Sequence, residues 1–172
     1  MKRLILVLAA AAAIGIPAFA QGAPKAGEFG IQTSVALSAP LAIPPLASLG
    51  VKYWINDAMA LRAGLGFASQ SGASTTTGFD LGGGFEYHFA GKGGVSPYVG
   101  VQAMYGSLSP SGGTATTNYL IGVVFGGEYF FSSNFSWGGE FGLGVGGSDT
   151  GGVTSTLVGT IGAATLLTWY LN

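Results

Sequence analysis

The sequence predicts an all-β protein, an eight-stranded antiparallel up-and-down transmembrane β-barrel. Three observations predict it. Large apolar residues alternate with small or polar ones along the chain, the period of a strand, in runs long enough to cross a bilayer at a tilt. Charged residues are only 8% of the 172 residues while glycine fills 32 positions, against about 25% and about 7% in ordinary soluble chains. Connections between the runs alternate between tight and long, as they do in barrels that cross an outer membrane.

The N-terminus sets the route. Lys2 and Arg3 precede an apolar stretch, Leu4–Ile16, and Ala18-Phe19-Ala20 is a small-x-small cleavage site. Residues 1–20 therefore read as a secretory signal peptide, cleaved after Ala20 and too short to span a membrane as a helix. Residues 21–172 are then the mature barrel domain, with 21–27 as a short leader. Removing Lys2 and Arg3 leaves that domain net negative, so nothing suggests nucleic acid as a partner. The chain has no cysteine, which excludes a disulfide framework and a thiolate metal site.

The strands follow in order. The first, about 28–38, sets Phe29, Ile31, Thr33, Val35 and Leu37 against Gly30, Gln32, Ser34 and Ala36. APLAIPPLA, 39–47, carries three prolines and is a connection rather than a strand. VKYWINDAMALRAGLGF, 51–67, holds the second and third strands around the turn Asn56–Ala58. The fourth covers about 78–89, the fifth about 97–106, the sixth about 118–131 and the seventh about 135–146. The eighth, about 155–171, places Leu157, Ile161, Leu167, Trp169 and Leu171 on its apolar side, with the least regular pattern of the eight. Asn56–Ala58, Ala90–Gly94 and Ser132–Asn134 are the tight connections. Ala39–Ala47, Ser69–Thr77, Gly106–Thr117 and Gly147–Thr154 are the long ones.

The apolar face belongs outside. Were it a soluble core, the opposite face of Gly, Ala, Ser and Gln would form the wet surface, which normally needs about 25–35% charge. Inverted, the large apolar side chains meet lipid, and the glycine-rich face lines a lumen that eight strands leave only wide enough for side chains. The aromatics agree. Phe29, Tyr53, Tyr87, Phe89, Tyr129, Phe131, Phe135, Trp137 and Trp169 form a girdle at the tight-turn end. Phe67, Phe79, Tyr105 and Tyr119 form a second at the other. Trp54 is out of phase and points inward.

The lumen then holds the charges. Lys52 and Arg62 are equidistant from residue 57 and so face each other across the first tight turn. Glu86 follows on the next strand, and Glu128 and Glu140 are diagonal neighbours across Ser132–Asn134. Cations on one wall opposite carboxylates on the other predict a lumen charge network of Lys52, Arg62, Glu86, Glu128 and Glu140, because an unpaired charge there is costly. Its plain role is to fill and pin the lumen; a gated narrow pore is the functional alternative.

Other chemistry is not expected. His88 is the single histidine, with Glu86 rather than a serine beside it, so no catalytic residue is assigned and the chain reads as a non-enzyme. GFDLGGGF, 78–85, lacks the Gly-Lys-Ser/Thr of a phosphate loop. No cofactor and no metal-ligand cluster is expected.

The segments YWINDAMALRAGLGF (53–67) and VSPYVGVQAMY (95–105), with the aromatic-ended last strand, resemble small outer-membrane β-barrels. The family is the OmpA/OmpX-type, porin-like "outer membrane protein β-barrel domain" family of Gram-negative bacteria. The resemblance implies a multi-pass barrel in the cell outer membrane. It implies outer-membrane lipids, periplasmic chaperones and the barrel-assembly machinery as partners. The implied role is structural, in envelope integrity, with at most a narrow pore for small solutes. The alternative is a surface adhesin or partner-binding barrel acting through its outer loops. Two departures from the family stand out: the chain ends Trp169-Tyr170-Leu171-Asn172 rather than on an aromatic, and no periplasmic domain is expected after the last strand.

Overall fold

The computed structural model describes residues 24–38, 48–72, 75–89 and 94–171. The expected signal peptide, the Pro-rich connection 39–47, residues 90–93 of the third turn and Asn172 lie outside the described residues. The described residues form eight strands: β1 (Phe29–Ser38), β2 (Ser48–Asn56), β3 (Met59–Gln70), β4 (Thr76–His88), β5 (Val95–Pro110), β6 (Thr116–Ser132), β7 (Phe135–Thr150) and β8 (Val153–Leu171). They close into a barrel in sequence order, every pair antiparallel, with β8 returning to β1. Closure leaves no strand edge along the shared wall, so the backbone groups there are paired without water.

Two expectations about connections are corrected. Strands β5 to β8 run further than the alternation suggested, which shortens the long loops. The clearest case is the expected loop Gly147–Thr154, which is a two-residue hairpin. Thr150 pairs with Val153, and Gly151 and Gly152 have φ of 61° and 87°. Two successive positive φ values define a type I′ turn, whose twist matches that of the strands it joins. Asp149 braces it, accepting from the Gly152 N–H at 3.2 Å and the Thr154 hydroxyl at 3.1 Å.

The irregular pattern of β8 also has a cause. The β7–β8 register steps from Gly142↔Gly162 to Leu143↔Thr160, so one residue of β8 is left over as a bulge. An extra residue inverts the alternation beyond it. Leu157, expected on the lipid side, is paired with lumen-side Gly146, while Val158 pairs with Val145 and takes the outer face.

Elsewhere the alternation places side chains as their chemistry requires. Phe67, Phe79, Leu81, Val101, Tyr105, Ile121, Phe131, Trp137, Leu143 and Trp169 are exposed on the outside. Lys52, Glu86, His88 and Glu128 are buried inside. The girdle residues Phe29, Tyr53, Tyr87, Phe89, Phe131, Trp137 and Trp169 are exposed, while Tyr129 and Phe135 are half-buried. Outside positions at the tight-turn end stack with one another: Phe131 on Phe135 at 5.6 Å and Phe135 against Trp169 at 6.1 Å.

The lumen is not lined by small residues alone. Trp54, Phe130, Tyr170 and Ala60 pack into one buried cluster, and Tyr98, Val124 and Leu166 into a second. Glycines directly paired on the neighbouring strand make the room, Gly126 beside Tyr98 and Gly30 beside Tyr170. A Cβ on Gly126 would run into the ring of Tyr98, and one on Gly30 would lie 2.9 Å from the Tyr170 ring. Large and small residues thus sit side by side on adjacent strands of the lumen face, which lets the interior pack as a core does. Trp54 finds its place here, its ring 4.5 Å from His88 and 6.4 Å from Phe130.

A closed antiparallel barrel with an apolar exterior and ionic interior is a transmembrane barrel of the outer-membrane type. A charge placed mid-strand on its outer face is therefore expected to destabilise it. Phe141→Arg should lower unfolding free energy by about 2–4 kcal/mol, measured by urea titration of barrels refolded into lipid vesicles.

Candidate functional site

The site grows out of one hairpin. The turn at Asp57-Ala58 sets Lys52 opposite Arg62 on β2 and β3, both on the lumen face. Neighbouring cations of like sign need carboxylates between them. Glu86, on β4 two residues past the partner of Arg62, supplies the first. Its side chain has no exposed surface, and it lies 2.6 Å from Lys52 Nζ and 3.1 Å from Arg62 NH1. The other carboxylates come across the lumen. Lys52 reaches Glu128 on β6 at 2.6 Å, and Arg62 reaches Glu140 on β7 at 2.7 and 3.1 Å.

The five residues expected as a network thus stand in a single file: Glu128, Lys52, Glu86, Arg62, Glu140. The signs alternate along it, and both ends are carboxylates. Each end is anchored by neutral donors. Glu128 accepts from the hydroxyls of Ser136 at 2.5 Å and Tyr170 at 2.7 Å. Glu140 accepts from Tyr98 at 2.8 Å, and Arg62 donates a further bond to Gln102 at 2.8 Å. The bidentate Arg62–Glu140 fork is the strongest geometry available to such a pair. Lys52 is also capped by aromatic faces, 5.1 Å from the Trp54 ring and 5.5 Å from the Tyr98 ring. Among the described residues three buried side-chain atoms stay without a hydrogen bond, Glu28 Oε2, Trp54 Nε1 and Glu86 Oε1; the last lies at ion-pair distance from Arg62.

One expectation is corrected here. His88 does have a serine beside it. Its Nδ1 is 2.9 Å from Ser96 Oγ, and its Nε2 is 3.0 Å from Glu86 Oε2. His88 pairs with Tyr98 across the β4–β5 hairpin, which makes Ser96 its diagonal neighbour on the same face. Ser96 falls between the expected turn Ala90–Gly94 and a fifth strand expected from about 97; β5 starts at Val95, which puts Ser96 on the lumen face of the strand. Among the described residues no cluster of three or more His, Cys, Asp or Glu is placed to hold a metal ion.

No protein-family model matches this chain, and no curated protein matches it by sequence. Solved structures do resemble it. The N-terminal β-barrel domain of Pseudomonas aeruginosa OprF is 16% identical, with 84% of this chain and 96% of that one covered and a TM-score of 0.39. Neisserial surface protein A is 15% identical over 84% of this chain and 92% of its own, with a TM-score of 0.41. Ail, the attachment invasion locus protein of Yersinia pestis, is 10% identical over 83% and 93%, with a TM-score of 0.35.

The file of charges predicts unequal costs for its members. Glu86→Gln keeps the shape but leaves two buried cations short of a shared carboxylate, so it should cost about 3–5 kcal/mol. Tyr98→Phe removes one bond to a carboxylate that Arg62 still holds, and should cost less, about 1.5–3 kcal/mol. Urea unfolding of the two variants in the same vesicles tests the order.

Proposed function

We propose that residues 21–172, exported by a cleaved signal peptide at 1–20, form an outer-membrane barrel whose role is structural, in the integrity of the cell envelope. Its lumen is closed at rest and opens at most to a narrow pore for small solutes. The observation that carries this reading is the pairing of both lumen cations between carboxylates, directly beside an apolar plug of Trp54, Phe130 and Tyr170. Ion pairs that span the lumen tie opposite walls together and occupy the axis that a solute would use. The tight turns and both mature termini face the periplasm in this reading, and the longer hairpins face outward. Outer-membrane lipids are its constant partners. Periplasmic chaperones and the barrel-assembly machinery deliver it.

A second reading has one observation in its favour. Strands β5 to β8 have 16 to 19 residues, beyond the ~9–11 that span a bilayer, so their hairpins stand clear of the membrane. A projecting wall of that kind suits a surface adhesin acting through its outer hairpins. Shortening the β7–β8 hairpin separates the readings: adhesion to host cells or matrix would fall while the barrel still folds.

The closed-lumen reading is tested by conductance of the refolded barrel in a planar lipid bilayer, with the heat-modifiable gel shift as the folding control. Wild type should be silent or nearly so. The variant Trp54→Ala/Phe130→Ala/Arg62→Ser/Glu140→Ser should show channels, because it removes the plug and one cross-lumen ion pair together. Reproducible wild-type channels of comparable size would overturn the closed reading.

A further inference from the structure

We propose that Ser96 is an activated nucleophile that takes an acyl group from small esters reaching the tight-turn mouth of the barrel. Three side chains carry this. Ser96 Oγ, His88 Nδ1, His88 Nε2 and Glu86 Oε2 form a continuous line of contacts at 2.9 and 3.0 Å. Exposure falls along the line in the order a relay requires: Ser96 is half-buried, His88 is 3% exposed and Glu86 is 0% exposed. Ser96 is thus the member of the line with solvent exposure, while its base and the base's partner are shielded.

The partners assign the tautomer. Nε2 faces the acceptor Glu86 Oε2 at 3.0 Å and the donor Lys52 Nζ at 3.4 Å; Lys52 already binds Glu86 and Glu128 at 2.6 Å, and the shorter contact favours the tautomer with the proton on Nε2, pointed at Oε2. Nδ1 is then a lone pair, and the Ser96 hydroxyl donates to it. That is the polarity of a serine–imidazole–carboxylate relay, in which the carboxylate orients the ring and favours the imidazolium that forms. The ring is further fixed between Trp54 at 4.5 Å and Tyr98 at 4.9 Å. Lys52 Nζ, 3.4 Å from Nε2, opposes a positive ring, but the lumen file carries three carboxylates against two cations. One further positive charge balances it. Glu86 is a positioning residue in this scheme, while Ser96 and His88 touch the reacting atoms.

The step balances without a co-reactant other than water. Ser96 Oγ bonds to the ester carbonyl carbon as its proton passes to His88 Nδ1. The ester C–O bond breaks, and the leaving alcohol takes that proton. Water then attacks the acyl-serine, giving a proton to His88, and Ser96 recovers its own as the acid departs. Pro97 follows Ser96, so the next residue offers no backbone N–H to a developing oxyanion. Acylation and deacylation both lack that donor, so turnover is slow, and a trapping probe is the right readout.

The experiment uses the refolded full barrel in detergent micelles, its fold checked by heat modifiability, exposed to an alkyl fluorophosphonate. The probe bonds to the serine oxygen and loses fluoride. Intact mass and peptide mapping should find one adduct, on Ser96, in folded wild type and none in Ser96→Ala or in heat-unfolded protein. His88→Gln, still folded by gel shift, should be labelled about 100-fold more slowly, the low end of what a general base contributes. No adduct on folded wild type, an adduct on another serine, or equal labelling of His88→Gln would overturn the proposal.

Discussion

Glu86 is the point from which the interior is organised. A carboxylate with no exposed surface survives inside a barrel only if its charge is answered on the spot. Two cations answer it, Lys52 and Arg62, and each then carries charge to spare. That surplus is what draws Glu128 and Glu140 from the far wall. The order of dependence is therefore outward from β4: remove the central acid and the cations repel across a single β2–β3 rung, while the outer acids still hold one partner each. The same residue also fixes the ring of His88, so ionic order and imidazole orientation share one origin.

The wall and the filling are complementary for the same reason. Strands of a small barrel stand too close for two large side chains to meet at every level. Glycine at Gly30 and Gly126 yields space to Tyr170 and Tyr98, and these two rings then present hydroxyls to Glu128 and Glu140. The aromatic plug and the ion file are thus joined by their tyrosines. On the outer surface no such compensation is needed, because lipid conforms to whatever is offered.

Much of this was legible before any coordinates. Strand phase, the inversion of inside and outside, and the Lys52–Arg62 rung follow from alternation and from counting outward from residue 57; the turn itself is one residue shorter than expected, and the register shift between Trp54 and Asn56 makes up the difference. The cross-lumen partners were legible too, since cations clustered on one wall imply acids opposite. What escaped depended on single residues at strand ends. Ser96 was hidden because it falls between the expected turn and the expected start of β5. The inversion at Leu157 was hidden because a bulge leaves no signature except a spoiled pattern. The Gly151-Gly152 hairpin was hidden because a glycine pair serves a long loop as well as a tight turn. Of the plug only Trp54 was visible as an inward ring; Phe130 and Tyr170 were hidden because large rings on the lumen side read as breaks in an alternation rather than as a core.

The alternation of sign along the file has a consequence for how such a barrel changes over generations. A row that begins and ends with an acid cannot lose one interior member without leaving a neighbour unmatched. Loss of Arg62 strands Glu140 and half of Glu86; loss of Lys52 strands Glu128. Removing a cation together with the terminal acid beside it shortens the row and leaves the rest matched. The lumen is thus free to drift by deleting the couple at one end or the other, but not both, since the second deletion would leave the middle acid buried and unanswered.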